Sequence, residues 1–467
     1  MNWPLLVNSL LVSALATTLA GAIGFAGALA IAGANPRSQR MLLLAAVIAL
    51  ALPPFLVTNT WIDLLGQNGS LRRWLPLDLY SMGGVTWLLA LLSWPITTLL
   101  ALGAWSRLEP AQLEIDPALR GVALIRWLLW PMARVAVGQA ALLTFVLTLN
   151  NFSVPVILQV PVFPEELWLA LSTQLDIARA WAAGLPMIVA PVIVLLLLRR
   201  AEIAWPRTQP TASATAFRRQ LGRGWFRTAS VAVVLLLIFS LGLPLAQLTA
   251  SSRTWAELPD LFRAAPKVVW TSFAFAAAAA TSCVAVGFAT SRLPLNIVCW
   301  LPFFIPGVLI GHAAVTVFSG TILQGTALLV VLAFAARYFG VGWTGVSLAL
   351  RSLDRDLTDA ARLSGARGWT LLRHVHWPQI APRVAAAWYV TYLLCLWDVE
   401  TLALIYPPGG ETLALRIFNF LHYGRHAQVN ASCVILLALA LAPLVVWAVT
   451  KRWSASMRAR DGGGRRS

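Results

Sequence analysis

Long apolar runs separated by short polar connections organise this chain. The runs cover residues 5–33, 41–65, 82–104, 135–157 and 181–198, then 228–248, 268–290, 294–317, 321–340, 384–405 and 434–450. Most approach the ~20 residues a helix needs to cross the hydrocarbon core. The pattern predicts an all-α polytopic membrane protein with about eleven transmembrane helices. Shorter apolar stretches around Leu167 and Leu413 are expected to form external half-helices. The first run lacks a basic leader and is long enough to span, so it is expected as a retained helix rather than a cleaved signal.

The most polar segment between two long apolar blocks is 359–382, DAARLSGARGWTLLRHVHWPQIAP, which carries Arg362, Arg367 and Arg373. Apolar residues at Leu357, Ala360 and Ala361, then Leu371, Leu372 and Val375, recur at helical steps. That spacing predicts a short amphipathic helix, a break at Gly365 and Gly368, and a second short helix. Pro378 and Pro382 then restart the chain into the next apolar run. The apolar face needs cover, either a partner's groove or the lipid surface.

Part of this segment occurs twice. Arg120-Gly121, Leu124, Arg126 and Trp130-Pro131 match Arg367-Gly368, Leu371, Arg373 and Trp377-Pro378 at a constant displacement of 247 residues. Farther on, Glu165, Leu167, Leu169, Leu175 and Arg179 match Glu411, Leu413, Leu415, Leu421 and Arg425, displaced by 246. Two parallel copies imply a pseudo-two-fold axis along the membrane normal, with a pathway between the halves. The first copy has Gln112-Leu113-Glu114 and Ala118 where the second has Asp359-Ala360-Ala361 and Gly365, so its elbow is degenerate.

Composition agrees with a membrane protein. A mean hydropathy of +0.75 and only 11% charged residues exclude an ordinary soluble protein of this length. The net charge of +17 is spread over alternate connections, which is the positive-inside pattern rather than a nucleic-acid patch. It places Arg37, Arg40, the basic connection 201–227 and the tail 453–467 in the cytoplasm, and the N-terminus outside. Arg72, Arg73, Arg253 and Arg263 are exceptions on the outer side. The expected organisation is a first transmembrane domain at 5–200, the linker at 201–227, a second domain at 228–452 with its core at 267–450, and the tail. The four cysteines, Cys283, Cys299, Cys395 and Cys433, lie singly in apolar runs and read as buried residues.

Ionisable groups at membrane depth are costly, so each is a functional candidate. Asp398 and Glu400 follow the span after the polar segment, and their repeat equivalents are Asn151 and Ser153, beside Asn150. Asn150, Asn151, Asp398 and Glu400 either line a pathway, where acids favour a cation, or the acids pair with external arginines such as Arg416 or Arg425. His312 and His422 are lone histidines, and Asn59 and Asp63 close a span at the membrane interface. Gly340-Val341-Gly342-Trp343-Thr344-Gly345 satisfies GxGxxG, yet no strand precedes it and no βαβ unit surrounds it. Its place at a helix end suits close helix packing. No GxxxxGK[ST] and no catalytic constellation are present, so the chain reads as a non-enzyme.

Asp359-Ala360-Ala361, Gly365 and Trp377-Pro378 resemble the EAA loop of bacterial ABC importer permeases, with Asp for the family's Glu and Trp for its Leu. The continuation from Asp398 to Arg425 is similar to fused, two-halved permeases of the ferric-iron and thiamine type. The resemblance covers nearly the whole chain and is strongest over 270–442. It implies two tandem type I transmembrane domains in the bacterial inner membrane. The coupling elements would be Asp359, Ala360, Ala361, Gly365, Gly368, Trp377 and Pro378, with Gly121, Trp130 and Pro131 in the degenerate copy. It implies two copies of an ATP-binding subunit as partners, which use ATP and Mg, and a periplasmic solute-binding protein. No cofactor is expected on this chain itself, and no nucleic acid. Ferric iron is the first expected cargo, with thiamine, polyamines or phosphonates as alternatives. An ion-coupled secondary transporter is the rival class.

Overall fold

The computed structural model describes residues 2–75, 77–106, 108, 113, 119–172, 177–198, 214–295 and 298–463. The protein is all-α and polytopic, with no strand among the described residues. Among those residues, seven helices are long and apolar enough to cross a membrane, or nine if each of two bent pairs counts as one span. Two further helices lie outside that count, which stays short of the expected eleven. Ile177–Leu198 is apolar over Ala180–Leu196, and Trp377–Leu396 is twenty residues long.

Two runs read from the sequence as continuous spans are broken. Pro36–Ala51 and Pro54–Leu65 meet at 89°, and Val298–Phe304 and Gly307–Val317 at 107°. Proline is the cause. The residue before a proline is pushed out of the helical region, and Leu52 (ψ 132°) and Ile305 (ψ 131°) are extended before Pro53 and Pro306. The runs expected at 135–157 and 384–405 also stop early. Trp130–Leu149 is followed by a break and the separate Ser153–Ile157, and Trp377–Leu396 by a turn at 397–401. The run expected at 321–340 is instead the helix Ala327–Arg351.

The repeat is visible in the packing. In each half a long helix, a broken pair, a second long helix, an elbow with its returning helix, a ten-residue helix and a last helix follow in that order. The ten-residue helices Phe163–Ser172 and Leu413–His422 are the expected short elements, each far too short to span. Both begin alike: Phe163 N–H donates to Ser9 Oγ and Leu413 N–H to Ser272 Oγ, each at 2.8 Å. The halves also exchange contacts symmetrically. Ile177–Leu198 packs on the second half's broken pair, and the helix from His426 packs on the first half's pair.

The helix Arg223–Ala250 has no counterpart among the described residues of the first half, and it packs on that half. Phe226 lies over Gly33, Trp94 Nε1 donates to Ser240 Oγ, and Trp61 meets Phe239 edge-on. The contacts therefore cross the boundary read at 228.

The glycines of the GxGxxG string lie inside Ala327–Arg351 rather than at its end. Each permits a different close approach: a Cβ on Gly340 would meet Cys299 O at 2.6 Å, on Gly342 Cys283 Cβ at 2.7 Å, and on Gly345 it would collide with Ala387 Cβ. They are packing glycines.

Candidate functional site

Two places hold the chemistry singled out by the sequence: the turns after the returning helices, where the halves meet, and the elbows at the other end of those helices.

Asn151 and Asp398 do the same local work at equivalent repeat positions. Asn151 Oδ1 accepts from Val154 N at 3.0 Å, and Asp398 Oδ1 from Thr401 N at 2.9 Å. Each caps a turn through a side-chain oxygen three residues ahead of the N–H. Beyond this the halves differ. Asp398 Oδ2 accepts from Arg337 Nη1 at 2.9 Å, Tyr338 OH at 3.0 Å and Thr401 Oγ1 at 2.7 Å. Glu400 Oε2 accepts from Arg337 Nη2 at 3.0 Å, while its Oε1 accepts from the backbone N–H of Phe152, in the other half, at 3.0 Å. Arg337 is 6% exposed and Asp398 6%. Gly307 leaves room for the cluster, since a Cβ there would collide with Arg337 Nη1.

Burying charge costs several kcal/mol per ion unless it is paired. One guanidinium faces two carboxylates here, so the three groups carry a formal net charge of −1 when ionised. They border a cavity of about 170 Å³ between the halves, whose wall also includes Asn150, Asn151 and Ser153. Asn150 is 4% exposed and its Oδ1 has no partner among the described residues. All four residues expected along a pathway thus share one cavity. The expected pairing with external arginines is corrected: Arg416 reaches Glu411 at 3.8 Å and Arg425 reaches Gln428, and neither touches the acids. Sequence reasoning missed Arg337, although an arginine amid the apolar run of Ala327–Arg351 was itself a signal. Asn59, expected to close a span, is buried within the protein. It donates to Asn430 Oδ1 at 2.8 Å across the halves. His426 and Gln247 reach its neighbour Asp63.

At the elbow, Arg355–Leu363 is the expected short helix. Asp354 Oδ1 caps it from Asp356 N at 2.9 Å and Leu357 N at 3.3 Å. It ends in a Schellman motif, with Gly365 N bonding Arg362 O at 3.0 Å and Ala366 N bonding Ala361 O at 2.9 Å. Gly365 takes the left-handed position such an ending requires (φ +85°). None of the nine residues is buried. Leu357, Leu363, Trp369 and Leu372 are exposed, Leu363 by 90%. Among the described residues Asp359 pairs with Arg362 alone, at 3.4 Å and with both solvated, an interaction worth little.

The two elbows match in detail. Gly121 and Gly368 both have positive φ, +56° and +50°. Wide π-turns follow at Ile125–Leu129 and Leu372–His376, the same displacement as the sequence repeat. Trp130 N–H then reaches Ile125 O and Trp377 N–H reaches Leu372 O. Pro131 and Pro378 explain the wide turn, because a proline in a continuing helix lacks the N–H and its ring clashes with the carbonyl four residues back. Helices predicted as separate from the next run are therefore continuous with it. Of the degenerate positions, Gln112, Glu114 and Ala118 lie outside the described residues, while Leu113 is buried.

No family model matches the chain. It is 32% identical over 149 residues to PhnV of Salmonella paratyphi A, a transport system permease protein named for 2-aminoethylphosphonate, covering 32% of this chain and 56% of that protein. It is 33% identical over 96 residues to PotC of Escherichia coli K12, the spermidine/putrescine transport system permease protein, covering 21% of this chain and 36% of that one. The chain thus spans about half or less of the length of these curated relatives. Both are permease proteins of transport systems.

Proposed function

We propose that the chain is the permease of an ATP-driven ABC importer with both transmembrane halves fused. The observation that carries this reading is the doubled elbow: the same glycine, wide turn and Trp-Pro at one displacement, attached to helices that lead to a shared cavity. An ATP-binding subunit at each elbow would close on ATP and shift the halves as rigid bodies. A soluble binding protein would deliver cargo at the other face. In this reading Asp359, Ala360, Ala361, Gly365, Gly368, Trp377 and Pro378 transmit the motion, with Gly121, Trp130 and Pro131 as the second contact. ATP and Mg belong to the partner. The N-terminus and cavity side are periplasmic, and the elbows and C-terminus are cytoplasmic, in the inner membrane.

The cargo we infer is a small solute bearing an ammonium group. The two relatives are named for 2-aminoethylphosphonate and for spermidine/putrescine, which share a primary amine. A cavity edged by a net negative cluster and the free Asn150 oxygen suits such a group. Ferric iron, the first expectation, has no support from the relatives' names. The rival ion-coupled transporter needs an acid free to take up an ion, whereas Asp398 and Glu400 are both held by Arg337.

Uptake of labelled spermidine and 2-aminoethylphosphonate into vesicles holding the chain and its ATP-binding subunit tests both statements. Uptake should need ATP and be inhibited by the competing amine. Uptake that continues without ATP on an ion gradient would overturn the importer reading, and ATP-driven uptake of ferric ion alone would overturn the cargo.

A further inference from the structure

A groove of about 590 Å³ lies between the ends of Pro266–Thr290 and Ala327–Arg351, on the elbow side. Phe288, Ala289 and Leu350 form its apolar wall, and Ser291, Ser347, Arg292 and Arg351 its polar part. Two arginines at helix C-termini have an ordinary explanation: they cap the free carbonyls and complement the dipole. Here several of those carbonyls already have other donors. Trp343 Nε1 donates to Thr290 O at 3.3 Å and Ser291 Oγ to Phe288 O at 2.9 Å. Ser352 donates to Ala349 O through Oγ at 2.7 Å, and its N–H reaches Leu348 O and Ala349 O. Neither Arg292 nor Arg351 has a carboxylate within 4.0 Å among the described residues.

Ser347 supplies a second, independent observation. It is 5% exposed, and its Oγ has no partner among the described residues. The hydroxyls of Thr290, Ser291 and Ser352 all bond carbonyls of their own turns. An unused buried hydroxyl beneath two unpaired guanidiniums is a donor set for a phosphate.

We propose that this groove holds the phosphate headgroup of an anionic phospholipid of the cytoplasmic leaflet, bridging Arg292 and Arg351 above the Ser347 hydroxyl. A lipid fits better than free phosphate. The wall formed by Phe288 and Leu350 is apolar, and Val286 and Leu293, close by in the chain, are exposed apolar residues. The headgroup would sit at the root of the coupling segment. Arg351 ends its helix three residues before the cap Asp354, and Phe288 and Leu350 pack with Ile380 and Val384 of the returning helix. An occupied groove would fix the elbow's base on the second half alone. The leaflet assignment rests on the cytoplasmic placement of the elbows given above.

The test uses the full chain in nanodiscs of phosphatidylcholine, with and without phosphatidylglycerol, and native mass spectrometry to count retained lipid. We expect one phosphatidylglycerol to persist on the wild type. Arg292→Gln/Arg351→Gln should lower its apparent affinity roughly thirtyfold, at about tenfold or less per arginine, and Ser347→Ala should lower it less. Arg37→Gln/Arg40→Gln, a general charge control, should retain it. Equal loss in the control, retention in the double variant, or displacement by inorganic phosphate would each sink the proposal. Orientation is read separately, by labelling Leu363→Cys with an impermeant maleimide in right-side-out vesicles. Labelling there would overturn the cytoplasmic reading and the leaflet while leaving the binding result to stand or fall alone.

Discussion

The two halves share a backbone plan and differ in how their polar ends are filled. At the cavity, the first half caps its turn with the neutral Asn151 and the second with Asp398, which then requires Arg337. At the elbows, the first is covered by its own chain. Phe217 and Leu221 of the helix Ala214–Leu221 pack with buried Leu113, Leu124 and Leu129, and Gly121 N donates to Gln220 O at 3.0 Å. The second elbow is bare, with no buried residue in Arg355–Leu363. A repeat can therefore keep its geometry while charge and exposure concentrate in one copy. That copy is where a partner would find unsatisfied surface, while the cavity takes its charge from the second half and its free acceptor, Asn150 Oδ1, from the first.

The largest effect should come from the charge cluster. Arg337→Met strands two buried carboxylates, and breaking a buried pair by removing one partner costs about 3–5 kcal/mol. Thermal unfolding in detergent should show the drop. Adding Asp398→Asn and Glu400→Gln to Arg337→Met should recover part of it, because neutral amides need no counter-charge. If the single variant is as stable as wild type, the asymmetry at the cavity is not electrostatic.

Next comes the cover on the first elbow. Phe217 is 3% exposed among apolar neighbours, and Phe→Ala truncations in such sites cost about 3 kcal/mol or more. Phe217→Ala should also speed proteolysis within Ala214–Leu221, whereas Trp369→Ala on the bare second elbow should leave stability within about 0.5 kcal/mol. Equal losses from the two would erase the contrast between covered and bare.

Much of this plan is legible in the sequence. Apolar runs give the helices, and the constant displacement of the Trp-Pro pairs gives the two copies. Gly365 and Gly368 mark the elbow because only glycine readily takes their positive φ. What escapes is tertiary. Pro53-Pro54 and Pro306 were visible, but continuous hydropathy concealed the bends they force. The wide turns before Pro131 and Pro378 arise from a carbonyl clash that no periodicity reports. Arg337 gains its meaning from partners 61 and 63 residues away. The crossing of Arg223–Ala250 onto the first half follows from packing against Trp61 and Trp94, which chain order does not encode.

A smaller effect is expected at the bare elbow. A side chain at φ +85° costs about 1–2 kcal/mol, although a Cβ on Gly365 meets nothing within 4 Å. Gly365→Leu should leave the protein in the membrane yet reduce ATP-driven uptake about tenfold, the equivalent of 1.4 kcal/mol in the coupled step. Wild-type uptake in this variant would remove the coupling assignment from Asp359–Pro378.

The smallest effect separates the shared plan from the charge added to it. Asn151→Ala removes the oxygen that Val154 N–H uses, and loss of such a cap costs about 1 kcal/mol. Asn151→Asp keeps an acceptor in the same place, so its turn should hold, and half-buried Asn151 leaves the new carboxylate partly solvated. If the two turns are the same device, Asn151→Asp should unfold within about 0.5 kcal/mol of wild type while Asn151→Ala falls below both. Should Asn151→Asp destabilise as much as Asn151→Ala, the acceptor oxygen is not what the position supplies. The correspondence of Asn151 with Asp398 would then reduce to sequence spacing. A stable Asn151→Asp chain that transports the amine faster would instead show that net negative charge at the cavity, from either half, sets its preference for cargo.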